Sequence, residues 1–439
     1  MHNISPLQGL VQRGVIDTGL RCTSPCAFTL RGFAPFYWMK FRSIFILIFL
    51  LSLIFAFYSC IEPFKPELDN KDTASLLAVE GQVTDETGPF KVRLTKSGPV
   101  YTYQDIYKID PVSDANVHIS DDKENDFQLY PVENGWYETE DKNLKGVPGN
   151  TYTLHITDKD GSQYESTPEL LLDVSDIDSV FYEEEQRTRI EGETVSLESW
   201  LNILLNTRAS GNGIHYFKWE FEETWEFKMP EYVRITKHIR IEGIIIDSAY
   251  MVLLEIAPEK LHCWVSEASK SILIKSTASN LSGEIKRYPL TSIGPGDDRL
   301  STRYSILVKQ FALDKELYDF FKKLEDVNET NGGMYDKIPA PVFGNIMCCS
   351  GNKKALGYFF ASGVKTKRIF IDNLDVHVER GYSAYSGCGW EYPQLIGDYY
   401  FYGKIVDGNA DVGTDVWSRN KYCTDCRERG TDVKPDFWE

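Results

Sequence analysis

The residues of this 439-residue chain best suited to chemistry are its nine cysteines, and the last two, Cys423 and Cys426, stand in a Cys-x-x-Cys within KYCTDCRERG. That spacing suits half of a zinc site, a redox dithiol, or the ends of two disulfides. Zinc needs two further ligands; Cys388 and a histidine are available, but no second Cys-x-x-Cys follows. A redox dithiol needs its first thiol at a helix N-terminus, where its pKa falls, and Gly430 and Pro435 oppose a helix there. Disulfides need an oxidising compartment. The choice therefore turns on where the chain resides.

That address is written near the other end. MKFRSIFILIFLLSLIFAFYSC begins at Met39, with Lys40 and Arg42 before an apolar run of 14 residues, Ile44 to Phe57. The run is short of the ~20 residues of a membrane span and fits a signal-peptide core. It ends in Ser59-Cys60, a small residue before a cysteine, as in a lipobox; Phe57 and Tyr58 are bulkier than usual there, and an uncleaved anchor is the competing reading. Residues 39–59 are expected to be a lipoprotein signal peptide, with Cys60 the lipidation site. Residues 1–38 show no periodicity and precede a complete signal with its own Met, so translation is expected to begin at Met39 rather than Met1. Residues 60–75, containing IEPFKPELDNKD, read as a tether. Ile61 gives no inner-membrane retention signal, so the expected location is the outer membrane, lipid-anchored, on a face the sequence leaves open.

With Cys60 lipidated, and with Cys22 and Cys26 lying before the expected start at Met39, six cysteines remain as disulfide candidates: Cys263, Cys348, Cys349, Cys388, Cys423 and Cys426. An even number in an oxidising compartment allows three bonds, and disulfide is preferred over zinc and redox for Cys423 and Cys426. Cys348 and Cys349 are adjacent, too close to pair comfortably, and each is expected to reach a distant cysteine. The connectivity stays open.

Other chemistry is sparse. No His-Glu-x-x-His, P-loop, Gly-x-Ser-x-Gly or dinucleotide-binding glycine pattern occurs, and no cofactor or metal is implied. Histidines are scattered, and His118 and His155 read as sheet-surface residues. Carboxylates crowd YEEEQ at 182–186 and EFEETWEF at 220–227; a glycosidase pair needs a separation that sequence does not supply, and an acidic face is the simpler reading. Trp219, Trp225 and Phe227 make a sugar or peptide platform if they face outward and sandwich core if inward, core being preferred. The net charge is −18, with +4 on the first 59 residues and −22 on the rest. Such a surface repels phosphates, which excludes nucleic acid as a partner.

The elements that would hold these residues are mostly strands. LLAVEGQVTD and FKVRLTKS alternate at period two, and ANVHISDD, DFQLYPV, GWYETE and GNTYTLHITDKDGSQYESTPEL continue with turn signals between them. Residues 76–170 are expected to form an antiparallel sandwich of prealbumin-like or Ig-like type. Residues 171–439 are expected to be a larger β-rich domain with disulfides and one docked helix, in which Asp314 caps a run placing Leu317, Phe320, Phe321 and Leu324 on one face. The fold class is mainly β.

Taken together, CIEPFKPEL, LLAVEGQVTDETGPFKVRLTKS, CWVSEASKSILIKST, RYSILVKQFALDKELYDFFKKLEDVNETNGGMYD, PAPVFGNI, LGYFFASGVKTKRIFI and YCTDCRERGTDVKPDFW resemble the Bacteroidota lipoproteins catalogued as domain of unknown function 4249 (DUF4249), from Cys60 to Trp438. The resemblance implies an outer-membrane lipoprotein whose relatives are often encoded beside TonB-dependent transporters. Cys60, the Cys-x-x-Cys-Arg and the final Asp-Phe-Trp belong to the pattern; the adjacent pair Cys348-Cys349 is less familiar in it, which leaves the exact pairing open. It implies no reaction and no catalytic residue. The expected function is a non-enzymatic accessory or binding subunit beside a TonB-dependent transporter in nutrient uptake, its ligand, small molecule or glycan, unidentified. An exported hydrolase and a structural adhesion lipoprotein are the alternatives.

Overall fold

A computed structural model of the chain describes residues 76–97, 110–211, 213–241, 244–279, 282–329, 341–379, 388, 390–391, 400–406 and 415–438. The signal peptide, Cys60, the tether and residues 1–38 lie outside the described residues. Strands dominate, as the alternation predicts. In Leu77–Thr84, every second residue is buried along LAVEGQVT, because successive side chains of a strand point to opposite faces.

The first sandwich is built on one long sheet. Its spatial order runs Ile346–Cys348, Gln163–Ser166, Thr151–Thr157, Asn116–Asp121, Asp126–Pro131, Trp136–Thr139, Lys91–Lys96, Leu77–Thr84 and Ala355–Ser362. Strands from beyond residue 170 therefore close a sheet that the first hundred described residues begin. Leu77–Thr84 pairs in parallel with Ala355–Ser362, in the register Leu77↔Ala355 to Thr84↔Ser362. Gly357 permits this approach: its φ is +92°, and a Cβ there would lie 1.8 Å from the Val79 carbonyl oxygen, a conformation and a contact open to glycine alone. Val79, Val92, Leu94, Ile119, Tyr137, Leu154 and Phe359 fill the interior.

Where these late strands dock, a buried polar knot holds them. Asn345 Nδ2 donates to Glu169 Oε1 at 2.7 Å, to Thr167 Oγ1 at 3.0 Å and to the Phe359 carbonyl at 2.8 Å, while the Phe359 amide donates to Asn345 Oδ1 at 3.0 Å. Burial pushes the Glu169 carboxyl up to about 7 from 4.5, against the opposing hydrogen bonds of Thr167 and Asn345. The folded chain thus keeps a proton that the unfolded chain releases, so stability falls as pH rises from about 4.5 towards 7. At about 1.4 kcal/mol per unit, the loss is on the order of 3 kcal/mol at pH 8. Glu169→Gln, which keeps an acceptor for Asn345 and carries no charge, is expected to raise the melting temperature at pH 8 and to leave it nearly unchanged at pH 4.5. Thermal unfolding of both chains across that range reads this out.

A second sandwich packs a three-stranded sheet, Ile177–Glu191, Thr194–Arg208 and Glu284–Ile293, on a five-stranded one. The latter is ordered His262–Ala268, Tyr216–Lys228, Arg303–Leu313, Val364–Asp372, with Leu273–Ser276 also on Tyr216–Lys228. The stretch FKWEFEETWEF is one strand of this sheet, Tyr216–Lys228. Trp219, Trp225 and Phe227 are buried, inward-facing core, as expected. The helix also forms as expected, over Lys315–Glu329. The Asp314 carboxylate accepts from the Leu317 amide at 2.7 Å, and Leu317, Phe320, Phe321 and Leu324 are buried against Phe311, Tyr358 and Phe360. A further helix of one turn, Pro258–Leu261, was not anticipated by periodicity. The strands Tyr232–Ile241, Ile244–Glu255, Trp390–Glu391, Tyr400–Ile405 and Asp415–Ser418 close into a small barrel. Among the described residues, no helix is long and apolar enough to cross a membrane.

Candidate functional site

Strand Tyr216–Lys228 sends its odd-numbered residues, Phe217 through Phe227, towards the facing sheet or the small barrel. Glu223 shares that parity with five aromatics, so an acid is carried into an aromatic stripe and left 9 % exposed. A buried carboxylate needs a cation and donors. Glu223 Oε1 accepts from Arg299 Nη1 at 2.7 Å and from the Tyr304 hydroxyl at 2.7 Å. Burial, then the Glu223 charge, push the Tyr304 phenol well above its ordinary value, so it remains a donor.

Arg299 stands on the turn after Glu284–Ile293, in IGPGDDR. Asp297 accepts from the Arg299 amide at 2.9 Å, which starts the turn, and from Arg299 Nε and Nη2 at 3.1 and 2.8 Å. The fork is completed by Nη2 donating to the Ser292 carbonyl at 3.3 Å. Asp298 in turn accepts from Arg429 Nη2, whose guanidinium lies 4.9 Å over the Phe227 ring.

Glu223, Asp297, Asp298 and Arg299 wall a cleft of ≈ 600 Å³ at the end of the second sandwich, with Trp200 and Trp225 as its aromatic members and Glu267 at its exposed rim. Trp200 is held from outside: the Arg187 guanidinium lies 4.5 Å from its ring centroid. Gly294 is packed so closely that a Cβ would come within 2.9 Å of the ring. The site is thus a rigid, mostly acidic cleft with indole walls. Fixed carboxylate and guanidinium groups beside aromatic rings supply charge-assisted hydrogen bonds and ring surface side by side.

The C-terminal cysteines secure one wall. Cys263, on His262–Ala268, is bonded to Cys426, and Cys388 to Cys423. The Trp264 amide donates to the Thr431 carbonyl at 2.8 Å and the Thr431 amide to the Trp264 carbonyl at 2.9 Å. At Gly430, a Cβ would approach the Trp264 carbonyl oxygen to 2.3 Å. The Cys-x-x-Cys is thus two disulfide ends that strap the tail onto the sheet and deliver Arg429 to Asp298.

The expectation for Cys348 and Cys349 is overturned: both are free thiols. They lie at the end of strand Ile346–Cys348 on the first sandwich, where the Cys349 amide donates to the Gln163 carbonyl at 2.8 Å. The four bonded cysteines are committed to each other around the small barrel and its strap, so among the described residues the adjacent pair has no distant partner. His118 and His155, scattered in sequence, face each other across paired strands with ring centroids 4.7 Å apart. Asp126 and Glu165 lie beside them. Among the described residues, no group of three or more His, Cys, Asp or Glu side chains could hold a metal ion.

Trp200, Asp297, Asp298 and Arg299 were not singled out by sequence reasoning. The available signal was Glu223 itself, whose parity places it inside and so requires a cation from elsewhere. A family model described as Domain of unknown function (DUF4249) matches residues 61–368. No curated protein matches the chain.

Proposed function

We propose, for a chain that belongs to the DUF4249 family, a lipid-anchored outer-membrane binding subunit, held through Cys60, that takes a small polar or glycan ligand in the Trp200–Trp225 cleft. It catalyses no reaction and works beside a TonB-dependent transporter in nutrient uptake. The observation that supports this reading is the state of the cleft's acids. Glu223 and Asp297 both hold Arg299, and Asp298 holds Arg429. Carboxylates engaged in this way form a preorganised recognition surface.

The test is a pull-down of the tagged chain from mildly solubilised outer membranes. Co-recovery of a TonB-dependent transporter is expected. Recovery of none, or release of product from a glycan panel by the pure chain, would sink the reading. Trp200→Ala is expected to weaken glycan binding while leaving the far-ultraviolet spectrum unchanged.

A further inference from the structure

The hairpin that carries Trp200 is longer than the sandwich it belongs to. Ile177–Glu191 and Thr194–Arg208 stay paired to the tip, where Glu191 faces Thr194. The third strand, Glu284–Ile293, pairs only as far as Leu201. Residues 185–200 therefore form a two-stranded arm. On one of its faces Ile190, Val195 and Leu197 are 70 %, 66 % and 71 % exposed.

The arm has an open edge. Its loop is Gly192-Glu193, with Gly192 at φ +60°. A two-residue loop of this kind makes the flanking pair, Glu191 and Thr194, a hydrogen-bonded one. Counting back, odd-numbered residues turn their amides to the partner strand, whereas Glu184, Gln186, Thr188 and Ile190 turn theirs outward. Among the described residues, no strand pairs with that edge. Open edges recruit other strands unless charges repel them.

We infer that this edge pairs antiparallel with the same edge of a second copy of this chain, about a two-fold axis at Gln186. Charge complementarity along the strand selects the occupant and the register. On one face the order is Glu183, Glu185, Arg187, Arg189, acidic and then basic. A two-fold axis at Gln186 sets Glu185 against Arg187 and Glu183 against Arg189 of the other copy, each twice by symmetry. On the opposite face it sets Tyr182 against the exposed Ile190. An axis at Glu185 would place that carboxylate on its own copy. An axis at Arg187 would do the same to the guanidinium and set Glu183 against Glu191. Only the central register lacks like charges directly opposite, and it matches the outward amides of the even-numbered residues. In the single chain these side chains pair locally, Glu183 with Arg287 and Arg189 with Glu191 and Glu198. Such exposed pairs are weak and exchange readily.

Two variants of the full chain in mild detergent test this. In an antiparallel hydrogen-bonded pair the two Cα atoms lie about 5.5 Å apart, within disulfide reach. Gln186→Cys, in a Cys348→Ser/Cys349→Ser background, is therefore expected to give a non-reducing band at twice the chain mass. Thr188→Pro removes an outward amide and no hairpin bond; it is expected to weaken self-association in sedimentation velocity by roughly tenfold. A parent chain that sediments as a monomer at every concentration overturns the inference. So does a dimer indifferent to Thr188→Pro, or a Gln186→Cys cross-link in membranes to a polypeptide of another mass, which would assign the edge to a different partner.

Discussion

Arg299→Leu is expected to destabilise the chain by about 3–5 kcal/mol, the range for removing one partner of a buried ion pair. The leucine has three fewer heavy atoms, but the atoms lost border the cleft, so most of the loss comes from charge. Glu223 would keep only the Tyr304 hydroxyl as a donor, and Asp297 would lose the fork that its two oxygens grip. The physical signature is in the double variant. Glu223→Leu with Arg299→Leu removes the stranded carboxylate along with its cation and is expected to recover most of the loss, because an apolar pair of similar volume often matches a buried ion pair. Denaturant unfolding of the two single variants and the double gives the coupling. A double variant as unstable as the sum of the singles would show that the network stabilises by something other than mutual neutralisation.

The second large effect concerns the tail. Cys263 and Cys426 are 163 residues apart in sequence, so the bond removes much freedom from the unfolded chain, and deleting it with Cys263→Ser/Cys426→Ser is expected to cost about 2–5 kcal/mol. The same deletion leaves the strap tied by Cys388–Cys423 alone among its disulfides, with non-covalent holds that include the two Trp264–Thr431 hydrogen bonds, Arg429 on Asp298 and over Phe227, and Phe437 and Trp438 against Arg368 and Phe370. Limited proteolysis should cut the variant first between residues 419 and 438. Cleavage elsewhere first would mean that the strap holds without the Cys263–Cys426 bond.

Much of the architecture was legible because strand and helix periodicities are local. Burial alternates in Leu77–Thr84 as its composition predicts, and one face of Lys315–Glu329 buries the four residues spaced for it. Even the inward direction of Trp219, Trp225 and Phe227 follows from parity and size. What was not legible is which distant segment completes each element. Leu77–Thr84 takes a parallel partner that begins at Ala355, and nothing in either strand's alternation names the other. Glu223 finds its cation at Arg299 by the same rule: parity shows that a cation is required, whereas tertiary packing decides which one arrives. The cysteine count failed at Cys348 and Cys349 for the complementary reason. An even number permits full pairing, but the fold set these two on the first sandwich, apart from the cluster of four.

The parallel pairing of Leu77–Thr84 with Ala355–Ser362 also sets a timetable. During synthesis the strands up to Leu170 emerge early, yet one flank of their sheet stays unsatisfied until almost two hundred further residues have followed. Contacts of such separation slow folding, and in the interval the exposed flank is open to mispairing with another nascent chain. A fragment ending at the apparent domain boundary would carry that open flank permanently, so the first sandwich is a product of the whole chain rather than an independent module.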